Sequence, residues 1–588
     1  MPRLRSVAAS ATASAASAAT TVTKAVDRRT LLTAAGTAAL TAGIGYAVGA
    51  SGGEAAGATP PIAMSREAPP PPLAPYQAGT TLETVAAPRG SGGFRRLGDG
   101  PGWQRVVRAE LAAPHAGRSG RRTTLAAFVQ FTDLHLADVQ HPLRFEYLRS
   151  REPNGWRPHE ALTVAGAVSL VERVNALRGA PVTGAPLQFV MTTGDNTDNN
   201  ARCELDWFLT VMSGGALTPN TGDPHRYEGV QDSGAALYWH PEDATLRDTD
   251  KQLGYPHIPG FLDAAVRGLH SPGLNLPWYA TVGNHDSLAG GCYGATSAYL
   301  RDFAVGDRKL ITLPGAETTA VYEGIYQHTD PTGAHLERVL RGARRHMRTI
   351  TPDDSRAPYS VEQYLTAHLD PAHQGLGPVG HGYTADNVAA GTQYYTFRIA
   401  DDVLGISLDT TDPGGSYEGS LGTAQLSWLK RILADHRDTY VLVFSHHTST
   451  TLDNRRPDPG RPDEDRHGGA ELVEMLRAHP HVLAWVNGHS HRNTITPHGT
   501  FWEITTASHV DDPQLARVVE LVDNRDGTLS VLSTLVESAA PHRTDVADLS
   551  QTGLAALYRE LGANAPGRRL DLAGSAADRN VELLLAKP

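Results

Sequence analysis

A chain of 588 residues, 40% apolar and 20% charged, has the composition of a soluble globular protein and is longer than one ordinary core requires. Its net charge of −11 argues against a protein that mainly grips nucleic acid through backbone phosphates. The two cysteines, Cys203 and Cys292, are too few for a disulfide scaffold or a thiolate zinc site.

The first 26 residues are rich in Ala, Ser and Thr and carry Arg3, Arg5 and Lys24. Asp27-Arg28-Arg29-Thr30-Leu31-Leu32 follows, and no residue from Thr30 to Gly53 is charged. A twin arginine before a mildly apolar run resembles a twin-arginine export signal, so residues 1–50 read as a signal peptide. This implies the twin-arginine export machinery as a partner and an extracellular or cell-envelope destination. The run is long enough to span a bilayer, but its small residues make it a weak span, so membrane attachment would rest on a retained signal anchor. Residues 51–124 contain Pro69-Pro70-Pro71-Pro72 and many Gly and Ala, and read as a linker.

The body is expected over residues 125–540. The apolar run Leu125–Phe131 suits a buried strand and delivers Asp133-Leu134-His135 at its carboxyl end. Ala165, Val168, Val171, Val174 and Leu177 give the next segment one apolar helical face. Leu187–Met191 predicts a strand ending in Gly194-Asp195-Asn196-Thr197-Asp198. Strand, helix, strand with polar residues at the carboxyl ends is the pattern of an α/β sheet with its site along that edge. Two insertions interrupt it, near 200–275 and 295–390. In the second, Arg338, Arg341, Arg345 and Arg348 are spaced for one helical face. That face is either a phosphate-attracting surface or a solvated one.

Between the insertions, Leu276–Ala280 predicts a strand leading into Gly283-Asn284-His285-Asp286. After them, Tyr394–Ile399 and Val403–Leu408 suit a hairpin, and Asp409-Thr410 follows it. Tyr440–Phe444 predicts a strand ending in His446-His447, and Val482–Val486 another ending in Gly488-His489-Ser490-His491. Further strands are expected at 501–505, 517–522 and 529–535, and residues 541–588 read as a peripheral helical tail. Arg517, after Asp511-Asp512-Pro513, is a candidate to approach the site. Cys203 and Cys292 each follow a strand-end cluster, so a bond between them is open.

Five clusters of Asp, His and Asn, each after an apolar strand, point to a metal centre with oxygen and nitrogen ligands. Such a set suits Mn, Fe or Zn. A carboxylate can bridge two cations, and paired cations are a common device for hydrolysing phosphate esters.

These motifs, Asp-x-His, Gly-Asp-x-x-Asp, Gly-Asn-His-Asp, a strand-end His and Gly-His-x-His, resemble those of the calcineurin-like metallophosphoesterases over roughly residues 125–515. The resemblance implies a four-layer α/β/β/α sandwich with two divalent or trivalent transition-metal ions at the sheet edge. It implies that Asp133, His135 and His491 hold one ion, that Asn284, His446 and His489 hold the other, and that Asp195 bridges. His447 is the rival to His446, and the first of the pair is preferred. It implies hydrolysis of a small phosphomono- or diester by a metal-bound hydroxide. His285 would be the proton donor, oriented by the Asp198 carboxylate. Asp198 stands where purple acid phosphatases carry Tyr, and Asn199-Asn200 where protein phosphatases carry Arg-Gly, so neither subgroup is implied. The alternatives are a nuclease, which the charge and the 6% aromatic content disfavour, and a non-catalytic metal-binding envelope protein.

Overall fold

A computed structural model of the chain describes residues 75–588 and the short strand Ile62–Ala63. The export-signal segment 1–50 and Pro69–Pro72 lie outside the described residues. In chain order the main strands are β1 (Val106–Leu111), β2 (Thr123–Phe131), β3 (Val190–Thr193), β4 (Trp278–Thr281), β5 (Tyr395–Ala400), β6 (Val403–Ser407) and β7 (Tyr440–Phe444). They continue with β8 (Val482–Asn487), β9 (Thr494–Pro497), β10 (Trp502–Thr505), β11 (Leu515–Asp523), β12 (Thr528–Glu537) and β13 (Val581–Ala586).

Among the described residues these strands form two seven-stranded sheets. One runs β1-β13-β12-β11-β2-β3-β4; the other runs from Ile62–Ala63 through β5-β6-β7-β8-β10-β9. The strands that carry the five motifs are parallel to their motif-bearing neighbours: β2 with β3, β3 with β4, and β7 with β8. Parallel strands buried on both faces need near-continuous apolar runs, as in Leu125–Phe131 and Val482–Val486.

The two sheets pack face to face. Phe128 of β2 stacks on Phe189 at 4.9 Å and meets Phe444 of β7 edge-on at 5.5 Å. Tyr279 of β4 stacks on Phe397 of β5 at 4.1 Å. Helices cover the outer faces. Thr163–Ala176, Arg202–Ser213 and Gln551–Gly562 pack together on the first sheet's side. Thr423–Asp435 and Gly469–Arg477 bury Leu429, Ile432, Leu472 and Leu476 against Val441, Val443 and Trp485 of the second. The architecture is a four-layer α/β/β/α sandwich.

Three sequence expectations are corrected. The tail is not peripheral: β13 lies inside the first sheet between β1 and β12, and Leu554, Leu557 and Leu561 of the last helix are buried. Apolar periodicity in β13 is only six residues long, too short to stand out. The 51–124 segment is not all linker, because residues 84–101 form a hairpin and β1 is an edge strand. The stretch near 200–275 is not all insertion. Arg202–Ser213 is a core helix of the sandwich, and 295–390 carries helices Ala298–Val305, Gly315–Tyr326, Ala334–Gly342 and Val361–Leu369.

The arginine face also dissolves, because the helix ends at Gly342. Arg345 falls in a following 3-10 turn and Arg348 on a short strand. Arg341 pairs with Glu337 and lies over the Tyr299 ring. The cysteines are free and buried in different clusters, Cys203 in the main core and Cys292 in that of the second insertion.

Candidate metal centre

All five motifs leave strand ends on one edge, and the turns that follow are tight. Asp133, His135, Asp195, His489 and His491 adopt left-handed backbone, with φ of 51°, 45°, 52°, 62° and 55°. Each such non-glycine residue costs of order 1–3 kcal/mol, so five together mark a functional edge. The turns also press against one another. A Cβ on Gly283 would lie 2.3 Å from the Asp195 backbone nitrogen, and one on Gly488 would lie 1.9 Å from Thr132 Oγ1. Asp286 locks two of them, accepting the backbone N–H groups of Gly283, Asn196 and Thr197 at 2.9, 3.1 and 2.9 Å.

The ring nitrogens decide what each histidine offers. His135 Nδ1 meets Asp198 Oδ1 at 3.0 Å, His446 Nδ1 meets the Thr193 carbonyl at 2.8 Å, and His491 Nδ1 meets Asp511 Oδ2 at 2.7 Å. These partners accept, so each Nδ1 carries the hydrogen and each Nε2 faces inward, where it would offer its lone pair once a cation displaces any proton there. Asn284 donates Nδ2 to the Gly291 carbonyl at 2.9 Å, which turns its Oδ1 toward the site.

The inward atoms converge. Asp195 Oδ2 lies 3.1 Å from His446 Nε2 and 3.6 Å from His135 Nε2. Asp133 Oδ1 lies 3.4 Å from His491 Nε2, and His489 Nδ1 lies 3.2 Å from His446 Nε2. His135 Nε2, Asp195 Oδ2, Asn284 Oδ1, His489 Nε2 and His491 Nε2 are buried without a hydrogen-bond partner. Unpaired buried acceptors are costly, and cations would satisfy them. The ligand atoms of Asp133, His135 and His491 fall within 4.8 Å of one another, as do those of Asp133, Asp195 and His446. The donor set therefore fits two hard or borderline cations, with Asp195 between them.

His447 offers less. Its Nδ1 meets Thr410 Oγ1 at 2.9 Å and its Nε2 meets the Tyr417 carbonyl at 3.0 Å, so both nitrogens are engaged by protein. His446 is the member of the pair that faces the carboxylates. Burial lowers the proton affinity of His446 and His491, but Asp195 for the first and Asp133 for the second outweigh it and raise each to about 9. Without a cation, the carboxylates hold protons on these rings.

The Asp198 assignment is corrected. His285 Nδ1 meets the Asp198 main-chain carbonyl at 2.7 Å. The Asp198 carboxylate bonds His135 and, through Oδ2, Arg144 at 2.7 Å. Arg517 is also corrected: it is buried on Thr506 Oγ1, Ser533 Oγ and Asn493 Oδ1, away from the ligands. Sequence reasoning passed over Asp511, Arg144, Arg157 and Glu160. Asp511 is visible only as part of an unassigned Asp-Asp-Pro; Arg144 and Arg157 sit in loops, and Glu160 opens a 3-10 turn too short to show periodicity.

The centre is enclosed, with none of the seven candidate ligands more than 1% exposed. Gly291 closes over His285, where a Cβ would lie 2.4 Å from Nε2.

Fold and site together define an α/β/β/α sandwich with a candidate dinuclear metal centre at one sheet edge. No protein-family model and no curated protein sequence matches this chain. Solved structures with some likeness include a dimetal phosphatase from Danio rerio, at 14% identity and a TM-score of 0.34, covering 71% of this chain and 100% of that one. GAP50, the anchor in the inner membrane complex of Plasmodium, shows 9% identity and a TM-score of 0.24 over 74% of this chain and 95% of its own. A Staphylococcus aureus protein proposed as a 5'-nucleotidase, solved with alpha-ketoglutarate, shows 14% identity and a TM-score of 0.27 over 74% and 58%. Likeness at this level carries no weight for activity.

Proposed function

We propose that the chain is a dinuclear metal-dependent hydrolase of small phosphate esters, of the metallophosphoesterase type. The observation that carries this reading is the convergence of unpaired buried ligand atoms from five strand ends. Asp133, His135 and His491 would hold one cation; Asn284, His446 and His489 the other; Asp195 would bridge. The donor set suits Mn, Fe or Zn. Two bound cations would supply a nucleophile at neutral pH and offset the charge that develops at phosphorus.

The chain's own residues do the rest. Asp195 Oδ1 accepts the His285 N–H at 2.8 Å and so ties the bridging carboxylate to the GNHD turn. The Asp198 carbonyl fixes the His285 ring through Nδ1. His285, protonated on Nε2, would pass that proton to the leaving oxygen. The enclosing loops would have to part to admit an ester.

The enclosure also favours a rival reading, a metal-binding envelope protein without turnover. One experiment decides between them. Purified protein loaded with Mn, Zn or Fe is assayed on phosphomonoesters, phosphodiesters and nucleotides, with metal content measured in parallel. Hydrolysis that chelation abolishes supports the enzyme. Two bound ions with no turnover on any ester support the rival. Export by the twin-arginine route is part of the proposal, and rests on Arg28-Arg29 and the uncharged run Thr30–Gly53 that follows. Changing both to Lys should leave the protein inside the cell, and unchanged export would refute the route.

A further inference from the structure

A chain of buried charges runs behind one half of the centre. It starts at His135, whose Nδ1 is held by Asp198 Oδ1 at 3.0 Å. Asp198 Oδ2 meets Arg144 Nη1 at 2.7 Å, and Arg144 Nη2 donates to Glu160 Oε2. The other oxygen of Glu160, Oε1, accepts the Arg157 backbone N–H at 3.0 Å and faces Arg157 Nη1 at 3.7 Å. Arg157 then grips Asp511 with two bonds, Nε to Oδ1 at 2.6 Å and Nη2 to Oδ2 at 2.9 Å. Asp511 Oδ2 closes the path on His491 Nδ1 at 2.7 Å.

The path begins and ends on two histidines that face the same cation position. Arg144, Arg157, Glu160 and Asp198 are all buried. Among the described residues, the ligands of the other cation position are backed differently, and His489 Nδ1 meets only His446 Nε2. His446 leans on a neutral carbonyl, and Asn284 on another. A carboxylate behind a ligating imidazole fixes its tautomer and orientation and makes it a stronger donor. Buried charges also tolerate only an arrangement in which each is paired, so the path has one low-energy geometry.

We infer that Glu160 is a positioning residue: through Arg144 and Arg157 it sets the two carboxylate-backed imidazoles, His135 and His491, as one unit, and so makes one cation position tighter than the other. This rests on the dinuclear reading above. Glu160 itself touches no ligand atom of the centre and acts only through the two arginines.

The test uses the full chain loaded with cobalt(II), read by metal content, by visible absorption and by the rate of cobalt release to excess EDTA. Wild type is expected to hold two ions and release them in two phases. Glu160→Gln keeps shape and removes charge, and should accelerate the slow phase about tenfold while leaving the fast phase unchanged, since losing a partner behind a ligand typically costs 10–100-fold in metal affinity. Asp511→Asn should act on the same phase, by at least as much. Glu503→Gln alters a buried carboxylate outside the path, bonded to Ser449 and Asn487, and should move neither phase. If Glu160→Gln does not fold, Asp511→Asn and Arg157→Lys carry the test. Equal acceleration of both phases, or no change in either, overturns the inference. Wild type that binds no cobalt sinks the metal reading as well; two ions in wild type, with release unaltered in Glu160→Gln and Asp511→Asn, sinks only this inference.

Discussion

Removing the last 48 residues discriminates sharply between a peripheral tail and an integral one. A chain ending at residue 540 loses β13 and the helix Gln551–Gly562. Eight large apolar side chains go with them: Leu554, Leu557, Tyr558, Leu561, Val581, Leu583, Leu584 and Leu585, none more than 4% exposed. At about 1.5–3 kcal/mol for each buried side chain, the loss is roughly 12–24 kcal/mol. Compaction of the unfolded chain reduces that figure by about 10–40%. The reduced value, roughly 7–22 kcal/mol, is of the same size as the ~5–15 kcal/mol by which a typical domain is stable. The cut also strips the ladder from β12, exposing a long edge strand inside a former sheet. The truncated chain should therefore be insoluble or molten by calorimetry and limited proteolysis. Leu583→Ala, a milder probe, should cost about 2–5 kcal/mol. A chain ending at 540 that melts cooperatively within a few degrees of the intact protein would refute the argument.

Four further outcomes are expected. Asp195→Ala should lose both metals and Asn284→Ala chiefly one, and full metal content in Asp195→Ala would remove the bridging assignment. Asp198→Asn should weaken metal binding through His135, by roughly 10–100-fold in a chelator competition, while leaving the dependence of rate on leaving group unchanged; the reverse pattern would restore its carboxylate to His285. His285→Ala should keep its metals and lose roughly 10²–10⁴-fold in rate on an alkyl ester but much less on a nitrophenyl ester, and equal losses on both would mean it does not serve the leaving group. In metal-free protein, His446 and His491 are raised to about 9 from an ordinary 6.5, so their stabilising contribution is complete below pH 6.5 and disappears as pH rises toward 9. Melting temperature should fall across that window without metal and be recovered by added zinc or manganese; a flat profile would count against protonated rings at these two positions.

The strand-end chemistry is legible along the chain. Each motif is a few residues long, follows its own apolar run, and announces its side chains without reference to the rest of the chain. That was enough to gather Asp133, His135, Asp195, Asn284, His446, His489 and His491 in one reading, and to expect a layered α/β body. The groups that stand behind those side chains come into place only on folding. His446 leans on Thr193 across 253 residues, and Asp198 turns its carboxylate to His135 and its carbonyl to His285. Glu160 joins Arg144 to Arg157 from a single 3-10 turn, Glu160–Leu162, too short to give a periodic signal. The place of β13 was likewise set by pairing with β1 and β12, strands far away in sequence. Local patterns are written by the spacing of neighbours, whereas ring orientation, charge pairing and strand order follow from contacts that exist only once the two sheets have closed on each other.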